Sequence, residues 1–230
     1  MGRYVLKGKP EVEVTLRRSS RARRLSLRVS RLDGRVTLTM PMRAAERDAH
    51  AFIEDRAEWL RQHVSDIGGE IPVQIGGTIP YQGQDLPIIA QTGRKTQLID
   101  NTLYVPQDPE KTGIRVRAFL KVEARNHLAA ASDRYAAQLG RSYGKITLRD
   151  TRSRWGSCTS AGDLMYSWRL IMAPPEVLNY VAAHEVAHLV EMNHSADFWA
   201  IVADLFPDHR RCRDWLNSSG NDLHRIRFGD

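Results

Sequence analysis

Cysteine is scarce in this sequence: its 230 residues include only Cys158 and Cys212. Two cysteines cannot form the disulfide framework that is typical of small secreted proteins, which favours a reducing compartment. The N-terminal segment lacks the apolar core of a secretory signal, and the most apolar stretch, residues 177–190, is shorter than a membrane span and contains ionisable side chains. The sequence therefore predicts a cytoplasmic protein with no membrane partner.

Acidic residues are nearly absent between Arg17 and Arg35, where Asp33 is the only one. The same segment contains eight arginines, at positions 17, 18, 21, 23, 24, 28, 31 and 35. Eight positive charges and one negative charge give +7, which equals the net charge of the whole chain. A cationic cluster of this density is suited to attract a nucleic acid, the phosphates of a nucleotide, or an acidic substrate. A solvated basic face of a hairpin explains the charge equally well.

Hydrophobic periodicity predicts an α+β fold. Apolar residues alternate in the segments 12–16, 25–29 and 36–40, which predicts three strands, with a hairpin turn at Asp33-Gly34. One helix is expected from Arg43 to about Ile67, followed by short β segments from Ile71 to Val105. A boundary at Asp108-Pro109 divides the chain into a β-rich N-terminal region with one helix, residues 1–108, and a second region, residues 109–230.

The second region is predicted to combine helices with a small sheet. A long helix is expected from about Thr112 to Leu139, where Gly140 ends it. Strands are expected at residues 145–149, around 154–157 and at 164–170. Pro174-Pro175 is suited to the first turn of a helix that extends to residue 190. Ser195 is suited to the N-cap of a second helix, which ends at Pro207. A last helix is expected to cover about residues 208–217.

One pentapeptide carries the signal for a metal site, His184-Glu185-Val186-Ala187-His188. On a helix, residues four apart point in nearly the same direction, so both imidazoles can reach one zinc ion at about 2.0–2.1 Å. Glu185 is rotated by about 100° from His184. Its carboxylate is therefore expected beside the metal, as the general base that accepts a proton from a zinc-activated water. Two unconnected histidines on a helix surface are the less favoured explanation.

A catalytic zinc site needs a third protein ligand and an open position for water. His194 is the nearest candidate, and it can reach the metal only if the helix ends before it. Asn193 tolerates the left-handed backbone conformation that ends helices, and Ser195 can cap the next helix. His209 and Asp204 are alternative ligands, but no local turn signal places either of them at the metal.

Several motifs carry a resemblance to a known family. They are Arg154-Trp155-Gly156-Ser157-Cys158, Ser167-Trp168-Arg169-Leu170, His184 to His188, and Asn193-His194-Ser195. With them the chain resembles the YgjP-like metallopeptidases, which are related to the SprT-like and WLM zinc proteases. The resemblance covers nearly the whole chain and implies a zincin-like catalytic fold for residues 109–230, with zinc (Zn²⁺) held by His184, His188 and His194. It does not indicate a substrate.

Other residues of these motifs also have expected roles. Trp155 is expected mainly to pack, and Gly156 to allow close approach of a substrate backbone. Cys158 is expected to be a small buried apolar residue, with zinc ligation as the alternative. If residues 164–170 form an edge strand, an extended peptide could bind along it.

Three functions are compatible with these features. The favoured one is a zinc metallopeptidase that acts on a peptide or protein with Glu185 as general base. A metal-dependent nucleoside triphosphate pyrophosphohydrolase, with Arg17–Arg35 holding phosphates, is the first alternative. The second is a basic nucleic-acid-binding protein with a structural zinc, which would not need Glu185 and would use four ligands. No feature of the sequence indicates an oligomeric state.

Overall fold

The N-terminal part of the chain forms a four-stranded sheet. A computed structural model describes residues 2–30, 34–65 and 69–229. Its first strands are β1 (Gly2–Leu6), β2 (Val12–Ser19), β3 (Ser26–Val29) and β4 (Val36–Pro41), in the order β1-β2-β4-β3. β2 and β4 run parallel, and the other two pairs are antiparallel. The three predicted strands and the β3–β4 hairpin are confirmed, although Asp33 of the predicted turn lies outside the described residues.

Two helices, α1 (Glu46–Asp55) and α2 (Ala57–Ser65), provide the apolar side chains that cover one face of this sheet. Their buried residues share a core with alternate residues of the strands, among them Leu16, Leu38, Ile53 and Leu60. The single helix predicted from residue 43 to 67 is therefore interrupted. At Arg56 the backbone (φ −105°, ψ 15°) leaves the helical conformation, and its N–H bonds to the carbonyl of Ile53, three residues back. Such tightening ends a helix.

The chain divides into two compact units, Met1–Glu70 and Ile71–Asp230. The second unit begins with β5 (Ile71–Pro72). The next four strands are β6 (Thr78–Tyr81), β7 (Gln84–Gln91), β8 (Gln97–Ile99) and β9 (Thr102–Pro106). These four form one sheet, in the order β6-β7-β9-β8. This division falls earlier than the predicted boundary at Asp108-Pro109. The reason is that buried residues of this sheet, such as Ile88 and Val105, share a core with Val116 and Leu120 of the following helix.

That helix, α3 (Thr112–Gln138), is followed by a three-stranded sheet. Its strands are β10 (Ile146–Arg149), β11 (Gly156–Cys158) and β12 (Leu164–Ser167), in the order β10-β12-β11. β12 is thus the central strand, so the expectation that residues 164–170 form an edge was wrong, and residues 168–172 form a 3₁₀ helix instead. Among the described residues, the edge strands of this sheet are β10 and β11.

Three more helices complete the unit: α4 (Pro175–Ala187), α5 (Ala196–Leu205) and α6 (His209–Ser218). A short strand near the end of the chain, β13 (Ile226–Arg227), pairs with β5 in parallel. The described residues form six α-helices and several small sheets, so the predicted α+β class is confirmed. Within them, every helix is too short or too polar to cross a membrane.

Candidate metal centre

Helix α4 carries the first two histidines of the predicted site. It begins at Pro175, where a proline costs no hydrogen bond because the first N–H groups of a helix have no internal partner. Most of its surface is buried, so tertiary packing holds it on several sides. It ends at Ala187, with His188 as its C-cap. His184 and His188 therefore lie one turn apart at the C-terminal end of a buried helix.

The helix break that the third histidine requires is present, but Asn193 does not make it in the way that was expected. The chain turns immediately after His188, and the N–H of Leu189 bonds to the carbonyl of Val186 at 3.0 Å. Asn193 does not adopt a left-handed conformation; its N–H donates to the Glu191 carboxylate at 3.3 Å. Ser195 caps α5 as predicted, because its hydroxyl accepts the N–H of Phe198 at 3.3 Å.

These elements bring the three predicted histidines together. One ligand atom from each of His184, His188 and His194 lies within 4.8 Å of the other two. The Nε2 atoms of His184 and His194 are 3.1 Å apart. His188 donates through Nδ1 to the carbonyl of Glu191 at 3.0 Å, a bond that leaves its Nε2 free to accept. His188 is buried, His184 half-buried and His194 exposed, so the group opens to solvent on the His194 side.

Phe198 is the side chain that the three imidazoles share. It is fully buried, and its ring centroid lies 4.9 Å from that of His184, 4.5 Å from that of His188 and 4.8 Å from that of His194. The ring stacks on His188 and meets the other two edge-on. No signal in the sequence indicates this role, although a residue four positions after His194, in the first turn of a capped helix, can reach back to that histidine.

The donor set fits a zinc ion. Ligand atoms that surround a tetrahedral ion at about 2.0–2.1 Å lie about 3.4 Å apart, which is close to the separation of the His184 and His194 nitrogens. Burial, and then the neighbouring His188 and His194, lower the pKa of His184 to about 3. Burial also lowers the pKa of His188. Both rings are therefore neutral at pH 7, which is the form that binds a metal.

Glu185 lies beside this group, with only 6% of its surface exposed. Burial raises the pKa of its carboxyl group to about 8, against a smaller lowering by Arg154. Such a carboxyl group holds and releases a proton near neutral pH. Glu185 and the three histidines line the same cleft, of about 200 Å³.

The opposite side of the cleft is formed by β11, through Gly156, Ser157 and Cys158. The backbone of Gly156 lies directly against the side chain of Glu185. A Cβ atom at position 156 would be only 2.5 Å from Oε1 of Glu185. Cys158 is half-buried and donates to the carbonyl of Thr159 at 3.4 Å. Burial, and then the charges of Glu185 and Asp163, raise the pKa of its thiol to about 11. Cys158 is therefore a neutral thiol that lines the cleft, and it lies outside the histidine group.

The cleft continues into a second cavity of about 400 Å³. The two cavities share His188 and Met192, and the second also borders Thr159, which follows β11 directly. Met192 is half exposed at this junction. Its position in the cleft was not predicted, because the loop between α4 and α5 has no regular period.

The remaining candidates have other positions. His209 stacks on Trp199 with ring centroids 5.8 Å apart, and neither His209 nor Asp204 belongs to the histidine group. Tyr180 is buried and packs with its ring edge-on to His184. Trp155 packs as expected, against the ring of His224 at 5.3 Å.

Comparison with known proteins identifies the family. The sequence model of the YgjP-like, metallopeptidase domain matches residues 23–219, which is most of the chain. No curated protein and no solved structure matches the chain. The name of this family implies a metal-dependent hydrolase, and the three clustered histidines could hold the metal ion. The chain therefore belongs to the YgjP-like metallopeptidase family.

Proposed function

We propose that this protein is a zinc metallopeptidase of zincin-like architecture. His184, His188 and His194 hold Zn²⁺, and Glu185 is the general base. One observation carries the proposal: a buried carboxylate and three imidazoles face a single cleft, with a strand edge on its other side. Three histidine ligands with one open side are typical of catalytic zinc sites.

The chemistry divides between the ion and the chain. A bound Zn²⁺ supplies Lewis acidity, which polarises a carbonyl group and lowers the pKa of a coordinated water molecule to about 7. Glu185 accepts the proton of the attacking water on a carboxylate oxygen and passes it to the nitrogen of the leaving amine. His188 is held in one tautomer by its bond to the carbonyl of Glu191, and Phe198 keeps the rings in place.

A peptide is the substrate that the shape of the cleft favours. β11 is an edge strand and lines the cleft directly beside Glu185. An extended peptide can add to such an edge through main-chain hydrogen bonds, whatever its side chains are. The second cavity, next to Thr159, provides room for the chain to continue past the end of β11.

The two alternatives have less support. Among the described residues, no lysine or arginine lines the histidine cleft, and Arg141 is the one that lines the adjoining cavity, whereas a triphosphate needs several cations around its phosphates. The arginine-rich segment belongs to the other compact unit. A structural zinc is usually closed by four protein ligands, and the group found among the described residues has three.

Replacing Glu185 with glutamine tests the proposal. The amide has the same shape but cannot accept a proton, so Glu185→Gln should keep zinc and lose about 10²–10⁴-fold in the hydrolysis of unstructured proteins and fluorogenic peptides. Glu176→Gln is the matched control, because it makes the same change at the start of the same helix, where Glu176 pairs with Arg211. Zinc is measured by elemental analysis in all three proteins.

Two results would contradict the proposal. Equal peptidase activity in the wild type and Glu185→Gln would remove Glu185 from the mechanism. Release of pyrophosphate from nucleoside triphosphates by a wild type that cleaves no peptide would establish the first alternative instead.

A further inference from the structure

The N-terminal sheet has an uncovered face that no step of the proposed peptidase chemistry uses. Side chains alternate along its strands, and those that point away from the helices are exposed or partly exposed. On the three adjacent strands β2, β4 and β3, this outer face carries one acidic residue, Glu13, close to β1. Its other residues are two arginines, five hydroxyl side chains and a proline, namely Arg17, Arg28, Thr15, Ser19, Ser26, Thr37, Thr39 and Pro41. The outer face is therefore polar and cationic.

Strand register places six of these residues in two rows across β2, β4 and β3. Thr39 pairs with Arg17 on one side and with Ser26 on the other. Thr37 pairs with Thr15 and with Arg28 in the same way. Adjacent strands are about 4.8 Å apart, and residues two apart on one strand are separated by about 6.7 Å. The backbones of Arg17 and Arg28 therefore lie about 12 Å apart, diagonally across β4, with threonine hydroxyls between them.

Three more arginines extend this charge beyond the ends of the strands. Arg21, Arg23 and Arg24 lie in the connection from β2 to β3 and are exposed. Among the described residues, none of these three, nor Arg17 or Arg28, is within ion-pair distance of a carboxylate. Arg18 differs, because it donates to the carbonyls of Met42 and Ala44 at 2.8 Å. We name Arg17, Arg21, Arg23, Arg24 and Arg28 the arginine patch.

The rest of the unit has the opposite charge balance. Residues 46–65, which contain α1 and α2, have five acidic and three basic residues. At the far edge of the sheet, Arg3 pairs with Glu13 at 3.2 Å, and Glu11 is exposed nearby, so the outer face is close to neutral along β1. The positive charge is thus confined to the side formed by β2, β4, β3 and their connection.

We propose that the arginine patch binds the phosphate backbone of a nucleic-acid duplex, without regard to base sequence. Five guanidinium groups that have no carboxylate partner within the described part of the chain, with hydroxyl groups among them, match a line of phosphate oxygens. Single strands are recognised mainly by stacking of bases on aromatic rings, and residues 12–41 include no Phe, Tyr or Trp. This interaction goes beyond the proposed peptidase function and does not depend on it.

The proposal predicts a characteristic salt dependence. Three to five phosphate contacts give a slope of log K against log salt concentration of about −3 to −4.5, and a non-specific Kd of about 10⁻⁴–10⁻⁶ M at physiological salt. Each arginine removed from the interface should reduce the slope by about 0.9.

The experiment measures binding of the full-length protein to a 20-base-pair DNA duplex by fluorescence anisotropy over a series of salt concentrations. Arg17→Ser combined with Arg28→Ser should reduce the slope by about two units and weaken binding at low salt. The matched control is Arg47→Ser combined with Arg56→Ser, which removes the same charge from arginines already paired with Asp48 and Asp55 at 3.2 and 3.1 Å. The control should bind nearly as the wild type does.

Further probes decide between partners. An RNA duplex of the same sequence shows which of the two duplexes binds more tightly, and either result supports a backbone site. Four results would overturn the proposal. Two concern the wild type: no binding of either duplex at 50 mM salt, or tighter binding of polyglutamate than of the duplexes. Two concern the variants: binding of the duplex by the patch variant as strong as that of the wild type, or an equal loss of duplex affinity in the patch and control variants. Tighter binding of polyglutamate would identify an acidic protein as the partner instead.

Discussion

The backbone of Gly156 lies against the carboxylate of Glu185: a Cβ atom at position 156 would be 2.5 Å from Oε1, 2.6 Å from Cγ and 2.7 Å from Cδ. Real Cβ atoms do not approach other atoms this closely, so any larger residue must displace the Glu185 side chain or β11. From the sequence, this glycine is expected to allow close approach of a substrate backbone. The structure shows that it makes room for Glu185.

Gly156→Ala should therefore reduce peptidase activity by about 10²-fold or more, because a displacement of about 1 Å is enough to misplace a catalytic group. Zinc content should not change, since the three atoms that a Cβ at position 156 would meet first all belong to Glu185, which is not one of the three proposed ligands. Activity and metal content are measured on the same preparation. Gly69→Ala is the control, because a Cβ atom there meets nothing within 4 Å. Full activity in Gly156→Ala would mean that Glu185 needs no fixed position.

Phe198 supports a second prediction, which concerns metal affinity. Its ring contacts all three imidazoles, so a smaller side chain should loosen their mutual orientation. Phe198→Leu should weaken zinc binding by about 10-fold, the lower end of what supporting residues around metal sites contribute. Competition with a chromophoric chelator measures the affinity.

Ile88→Val separates this effect from a general loss of packing. Ile88 is fully buried in the sheet formed by β6 to β9, and its truncation should cost about 1 kcal/mol of stability while leaving zinc affinity unchanged. Equal zinc affinity in Phe198→Leu and the wild type would reduce Phe198 to an ordinary core residue.

The parts of the candidate site that could be predicted are the local ones. The spacing of His184 and His188 on a helix, the proline at its start and the serine cap before α5 all depend on residues within a few positions of one another. Helical geometry and capping chemistry therefore place them without knowledge of the rest of the fold.

The parts that could not be predicted depend on pairing between distant segments. The contact of Gly156 with Glu185 joins residues that are 29 positions apart in the numbering. The central position of β12 follows from its pairing with β10 on one side and β11 on the other, and the apolar pattern of a strand does not reveal its neighbours. The sheet of β6 to β9 likewise belongs to the second unit because it shares a core with α3. Asp108-Pro109, where the boundary between the two regions was predicted, is the start of a short 3₁₀ helix.

The assignment of the third ligand gives a further prediction. A zinc concentration 100 times the Kd stabilises a protein by about 2.7 kcal/mol, which for the 160-residue second unit corresponds to a rise in Tm of roughly 5–10 °C. His194→Ala should lose this zinc-dependent rise. His209→Ala should keep it, because His209 stacks on Trp199 outside the histidine group. Thermal scans with zinc and with a chelator measure both. Loss of the rise in His209→Ala alone would assign the third ligand to His209.

The last prediction concerns acid stability and the network of polar contacts around Arg169. Buried Arg169 donates to both carboxylate oxygens of Asp150, at 2.7 and 3.1 Å, and to the carbonyl of Leu223 at 2.7 Å. His224 packs on Trp155, with its Nδ1 4.0 Å from the Asp150 carboxylate. Burial, and then the charge of Arg169, lower the pKa of His224 to about 4, although Asp150 acts in the opposite direction.

The sign of the effect follows from proton binding. Unfolded histidine has a pKa of about 6.5, so between pH 6.5 and 4 the unfolded chain holds a proton that folded His224 does not. The contribution of His224 to stability is therefore complete above pH 6.5 and is lost as the pH falls to 4. Burial raises the pKa of Asp150, but Arg169 outweighs this and lowers it below 3.8, so the loss from Asp150 begins at still lower pH.

Urea unfolding at pH 7.5 and pH 4.5 tests this. His224→Gln cannot titrate, so its free energy of unfolding should fall by roughly 2–3 kcal/mol less than that of the wild type between the two pH values. The histidines of the metal centre titrate in both proteins and cancel in the comparison. His63→Gln, at an exposed position of α2, should follow the wild type. If His224→Gln loses as much stability as the wild type over this range, the acid sensitivity arises elsewhere and His224 is not held neutral by its surroundings.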